Sequence, residues 1–355
     1  MFKQYAFVLV TITGLLIGVG RSNAQSQLLD LPEDSQHATV IQRIGITDVT
    51  IDYHRPLVNG RQIWGKLVPY GEVWRAGANE NTTITFTDPV TIENQPLANG
   101  VYGLHMLPGK NEWIVIFSKT HTAWGSFTYD QSQDALRVTV KPQPSEMHEA
   151  LAYDFDIVKP DSAIVTMRWE KIAVPFKIEV DVHDIVRASL HSQLQGIAQY
   201  GWNGWDDAAV YLLSQKYDLE EALNYEDSSI GMEKRCDNLL NKSRILDAMG
   251  RKAEANEIKD EALAIATGRQ LYYYAVSLQS QGKQDQAFEF FRQAAKRDPN
   301  DWLVHDGLAR IYSAKGDFDN AIREMKLSLA GAPNTQKYFP ADNLKMLEAK
   351  HDINQ

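Results

Sequence analysis

The chain has a single cysteine, Cys236, in 355 residues. One thiol excludes an intramolecular disulfide and any multi-cysteine zinc or iron–sulfur centre. Cations are also in short supply, with 36 Lys+Arg against 46 Asp+Glu and a net charge of −10. A nucleic-acid binder needs clustered Lys and Arg to displace phosphate counterions, and an anionic lipid surface needs a polybasic patch. Neither partner is expected. His37, His54, His105, His121, His148 and His183 show no H-x-H or H-E-x-x-H spacing. A G-x-S-x-G elbow, a glycine-rich phosphate loop and a dinucleotide fingerprint are missing too; Ser126 follows Gly125 without the elbow's second glycine. No metal and no cofactor are predicted.

One apolar run stands out, from Phe7 to Val19, flanked by Lys3 and Arg21 with no acid among residues 1–24. Ser22-Asn23-Ala24 places small residues at the −3 and −1 positions of a cleavage site. The run is shorter than the roughly 18–20 residues a bilayer span needs. Residues 1–24 therefore read as a secretory signal peptide, and the mature chain is expected in the periplasm or outside the cell. No later segment reads as an integral membrane span.

Proline divides the rest. Ten of the 13 prolines fall in residues 25–184, and only Pro299, Pro333 and Pro340 lie beyond. Proline suits turns and strand edges and breaks helix interiors, so the first part predicts strands and the second helices. Thr47, Val49, Ile51 and Tyr53 alternate with Asp48, Thr50 and Asp52, and similar runs recur to Val180. Turn pairs such as Asn59-Gly60, Asn99-Gly100 and Pro108-Gly109 separate them. Eight or nine short strands of this kind predict an antiparallel β-sandwich or barrel over residues 30–182.

From Asp184 the period becomes helical, with a linking helix expected over 184–200. Gly282 and Gly316, Ala287 and Ala321, and Pro299 and Pro333 are each separated by 34 residues. This pattern resembles the tetratricopeptide repeat. Weaker copies lie upstream, around Gly250 with Ala255 and around Asp218 with Ala222. Repeats are assigned to 201–335 and a capping segment to 336–355, giving an all-α solenoid after the β domain. The resemblance implies a groove lined by the first helix of each pair, suited to a protein or peptide partner. Tyr211, Arg244, Arg269, Tyr272 and Arg310 are the candidate partner contacts, with Asp207, Leu240, Val276 and Asp306 on the same face.

Residues 54–80 pack charge, aromatic rings and glycine together. The string contains Gly60-Arg61, Trp64-Gly65, Leu67-Val68-Pro69-Tyr70-Gly71, Trp74-Arg75, Gly77-Ala78-Asn79-Glu80 and Thr82-Thr83-Ile84. It resembles the signature of an uncharacterised family of exported bacterial proteins, the domain of unknown function 2911 family. Gly100-Val101-Tyr102-Gly103, Trp124-Gly125 and Trp169-Glu170 extend the likeness, which covers about residues 36–180. Members often carry tetratricopeptide repeats at the C-terminus. The resemblance implies no reaction and no site residues.

Two readings of the segment follow from its chemistry. In one, Trp64 or Trp74 is a stacking platform and Arg55, Arg61 and Arg75 grip a carboxylate, phosphate or sugar hydroxyl. Tyr70, Asn79 and Glu80 then complete a site for a small ligand, a glycan or a second protein. In the other, an Arg–Glu network satisfies an irregular crossover whose tryptophans fill the core. The expected function is non-enzymatic binding or assembly. A glycan hydrolase using Glu72 and Glu80 as its carboxylate pair, beside Arg75, is the alternative.

Overall fold

The alternation at residues 47–55 becomes strand β2 (Thr47–Arg55), in which Thr47, Val49, Ile51 and Tyr53 point into the core. Gly45, at φ 60°, turns the chain back from β1 (Gln36–Ile44), and the hairpin register sets His37 opposite His54. Residues 32–354 are described by this computed structural model; the segment read as a signal peptide lies outside them. The chain divides into two units between Ala188 and Ser189.

The β unit adds β3 (Thr83–Phe86), β4 (Val90–Ile92), β5 (Gln95–Leu97), β6 (Gly100–Leu107), β7 (Trp113–Ser118), β8 (Asp134–Val140), β9 (Gln143–Val158) and β10 (Ser162–Glu179). They form two antiparallel sheets, ordered β1-β2-β3-β6-β7-β8 and β5-β4-β10-β9. One apolar core lies between the sheets. Phe117 of β7 meets Phe176 of β10 edge-to-face at 6.0 Å, the geometry aromatic quadrupoles favour.

At one end of this core four tryptophans converge. Trp64 packs edge-on against Trp113 and Trp169, with centroids at 4.9 and 5.7 Å, and Trp74 stacks on Trp169 at 5.7 Å. Two of them come from the long crossover between β2 and β3, which is tied down at both ends and in the middle. Leu57 bridges to Ala150, Trp74 to Met106 of β6, and Glu80 to Trp124. Trp74 and Met106 exchange two backbone hydrogen bonds of 2.8 Å.

The second unit begins within α1 (Val182–Gln193), and a 3-10 turn at Ile197–Tyr200 precedes the repeats. Four helix pairs follow: α2 (Trp202–Gln215) with α3 (Leu219–Met232), α4 (Cys236–Ala248) with α5 (Lys252–Ile265), α6 (Gly268–Ser280) with α7 (Gln284–Arg297), and α8 (Trp302–Ala314) with α9 (Phe318–Gly331). Helix α10 (Tyr338–Glu348) packs against α9. Ala222, Ala255, Ala287 and Ala321 recur at equivalent buried positions, where a larger side chain would separate paired helices. Gly250, Gly282 and Gly316 take the left-handed turn between helices at φ 72–80°. In the first pair Lys216 and Asp218 adopt that conformation without glycine, which explains the weaker pattern there. Cys236 is buried at the start of α4, and its thiol is pushed up to about 11, chiefly by burial. Among the described residues no helix is long and apolar enough to cross a membrane.

Candidate functional site

The crossover separates the residues that its sequence groups together. Arg55 is held by the backbone of β9, with Nε donating to the Leu151 carbonyl at 2.8 Å. Arg61 closes a turn by donating to the carbonyls of Val58 and Leu57. Trp64 belongs to the tryptophan cluster, as does Trp74, whose indole N–H donates to the Gly77 carbonyl at 3.1 Å. Tyr70 is exposed and lies over Gly65, where an added Cβ would meet its ring at 2.8 Å.

Arg75 differs from the other arginines. Ala76, the next residue, is fully buried in a left-handed conformation at φ 52°, unusual for a residue with a side chain. Its carbonyl accepts from Thr82 Oγ1 at 3.2 Å and Tyr153 Oη at 2.8 Å, which fixes the kink. The kink holds the Arg75 guanidinium 5.4 Å from the centre of the Trp124 ring, a cation–π contact. Gly125, at φ 74°, leaves room for it: a Cβ there would lie 2.9 Å from one of the terminal nitrogens of Arg75. Among the described residues no carboxylate comes within 4 Å of Arg75, and its Nε is buried without an acceptor. Burial lowers its pKa, while the charge of Glu80 opposes that shift.

An open groove of about 240 Å³ runs past this guanidinium, lined by Leu67, Glu72, Trp74, Arg75, Ser126 and Phe127 among others. Trp124 and Phe127 stack at 5.9 Å with rings nearly parallel, and both are exposed. Beneath Ser126, its Oγ is 2.9 Å from Nδ1 of His105. Burial depresses His105 to about 4, so the ring is neutral near pH 7 and a weak base. Glu72 stands exposed on this groove, whereas Glu80 is turned to His54 at 3.6 Å. The two carboxylates thus have different surroundings. Asn79, at φ 54°, donates through Nδ2 to Glu33 at 2.5 Å, on the side of a second, polar basin.

In the repeats, Tyr272 and Arg310 do not reach solvent as free contacts. Tyr272 donates to Asp306 at 2.7 Å and Arg310 donates to the same carboxylate at 2.7 Å. The C-terminal segment covers them: Asn354 donates to the Arg310 carbonyl, and Ser313 donates to Asp352. Arg269 is exposed and paired with Asp301 at 2.8 Å, Arg244 is exposed, and Tyr211 is half-buried.

Residues 35–178 match the family model described as Protein of unknown function (DUF2911). The β unit is a DUF2911 domain. Residues 278–339, downstream of the DUF2911 domain, match a tetratricopeptide repeat model. No curated protein matches the chain. Similar solved structures include YrrB, titled a TPR protein with an unusual peptide-binding site, at 14% identity and TM-score 0.29, covering 46% of this chain and 86% of that one. PilF of Pseudomonas aeruginosa is similar at 17% identity and TM-score 0.32, covering 47% and 77%. The Cut9–Hcn1 assembly of the APC/C is similar at 16% and 0.32, covering 46% and 32%.

Ser126 and Phe127 of the groove, and Trp124 beside them, lie outside the 54–80 string. The Trp124-Gly125 pair was their one visible signal, since an aromatic beside glycine permits close approach of another group.

Proposed function

We propose that the protein is an exported, non-enzymatic binding protein. Its DUF2911 domain retains an acidic saccharide at Arg75, and its repeats hold a protein or peptide partner. The observation that carries the first part is the unmatched guanidinium. A half-buried cation that stacks on Trp124, borders the groove and leaves its Nε without a partner is incompletely satisfied. A carboxylate would accept two parallel hydrogen bonds from it, and the exposed Trp124–Phe127 pair offers an apolar face to a sugar ring. The exposed Arg244 and Arg269, with Tyr211, favour a partner on the first-helix face, because such residues anchor interfaces. The signal segment at residues 1–24 supports export.

Titration of the protein with oligogalacturonate, read by tryptophan fluorescence, tests the ligand. Arg75→Ala should weaken binding about 10–100-fold, the worth of a charge-assisted pair. Arg75→Lys should recover only part of it, since an ammonium cannot pair bidentately. A neutral glucan oligomer should bind no better to wild type than to Arg75→Ala. Equal affinity of wild type and Arg75→Ala for oligogalacturonate, or none in either, would overturn the reading.

A further inference from the structure

On the other side of the 74–80 segment, three chain regions bring a histidine between two carboxylates. His54 lies one residue before the end of β2, Glu33 precedes β1 and Glu80 lies near the end of the crossover. His54 Nε2 lies 3.2 Å from Glu33 Oε2, and Nδ1 lies 3.6 Å from Glu80 Oε2. The donor atoms of the three residues all fall within 4.8 Å of one another. The His54 ring is largely buried and held on both edges.

We propose that Glu33, His54 and Glu80 form a binding site for a divalent transition-metal ion. Metal–ligand bonds of about 2.0–2.1 Å in tetrahedral geometry separate ligand atoms by roughly 3.3 Å. The Nε2–Glu33 pair already has that spacing. Glu33 also lines the open polar basin of about 470 Å³, together with Asp34, Ser35, Asn59, Arg61 and Asn79, whereas Glu80 does not. The ion therefore sits on the Nε2 side, bound by His54 and Glu33, with its remaining positions open to water and to the basin. Glu80 faces Nδ1 at 3.6 Å from the opposite edge and orients the ring, as carboxylates behind metal-bound histidines do. Asn79, donating to Glu33, orients the second ligand. One imidazole with carboxylates suits Zn²⁺, Mn²⁺ or Fe²⁺; all-oxygen sites suit Mg²⁺ and Ca²⁺.

The site is inferred without reference to the Arg75 groove or its ligand, although Glu80 is electrostatically coupled to Arg75. It is tested by calorimetric titration of chelator-treated full-length protein with zinc chloride. The expected result is one saturable equivalent. His54→Gln and Glu33→Gln should each weaken it at least about 100-fold, and Glu80→Gln about 10–100-fold. His148→Gln, on β9, should leave it unchanged. Glu33 lies outside the strands, so Glu33→Gln serves even where His54→Gln fails to fold. The absence of a saturable equivalent, or full affinity in folded Glu33→Gln, would overturn the proposal. Full sensitivity to His148→Gln would show an adventitious surface histidine and overturn it too.

Discussion

Truncating Trp169 to alanine is expected to destabilise the β unit by about 3–5 kcal/mol, the range for removing a large buried aromatic. Trp169 is 1% exposed and touches both crossover tryptophans, stacking on Trp74 and meeting Trp64 edge-on. Its loss opens a cavity where the crossover is anchored, and the two rings cannot refill it without leaving their backbone bridges. Trp124→Ala is the matched control. Trp124 is 51% exposed, so its truncation should change stability by less than about 1 kcal/mol. Denaturant unfolding followed by far-ultraviolet circular dichroism measures both. Equal destabilisation would mean that the cluster is not what fastens the crossover.

The second large effect concerns Glu226 in α3, which is completely buried in the helical unit. Neither carboxyl oxygen has a hydrogen-bond donor. Burial, followed by the charges of Asp206 and Asp227, pushes its pKa up to about 9 from an ordinary 4.5, so it is protonated at pH 7. The unfolded chain releases that proton near 4.5 and the folded chain keeps it to about 9. Folding therefore takes up a proton across this window. The stabilising contribution is complete below the lower value and is lost as pH rises towards the higher one, by up to about 1.4 kcal/mol per pH unit. Glu226→Gln supplies a neutral group of the same shape. Its melting temperature should exceed that of wild type, and the gap should be several degrees wider at pH 8.5 than at pH 5. A gap independent of pH would show that Glu226 does not titrate in this range.

The period-two runs and the 34-residue spacing make the two sheets and the paired helices legible in the sequence. Both patterns are local: Val49 and Ile51 share a face because any strand puts alternate residues there, and Gly282 and Gly316 end helices wherever they occur. The site is less legible because its parts meet only through tertiary pairing. Trp64 and Trp74 have the composition of a binding platform, but their neighbours Trp113 and Trp169 come from other strands and enclose them. Arg75 looks equivalent to Arg55 and Arg61. It is set apart by what is absent around it, and by a ring that arrives from the loop after β7. His54 and Glu80 show no metal-ligand spacing, because a hairpin register and a crossover bring them together. Tyr272 and Arg310 fit the repeat's groove positions, yet Asp352 and Asn354 fold back over that face.

The lone thiol has a practical consequence. A cysteine at a helix start is often activated, but at Cys236 desolvation outweighs the helix terminus and leaves almost no thiolate near pH 7. The wild-type chain is therefore already a silent background for thiol chemistry. Leu67→Cys would place one reactive handle at the rim of the groove, and a maleimide fluorophore should attach once there and not to the parent protein. That conjugate would report occupancy of the groove directly, without assuming what occupies it.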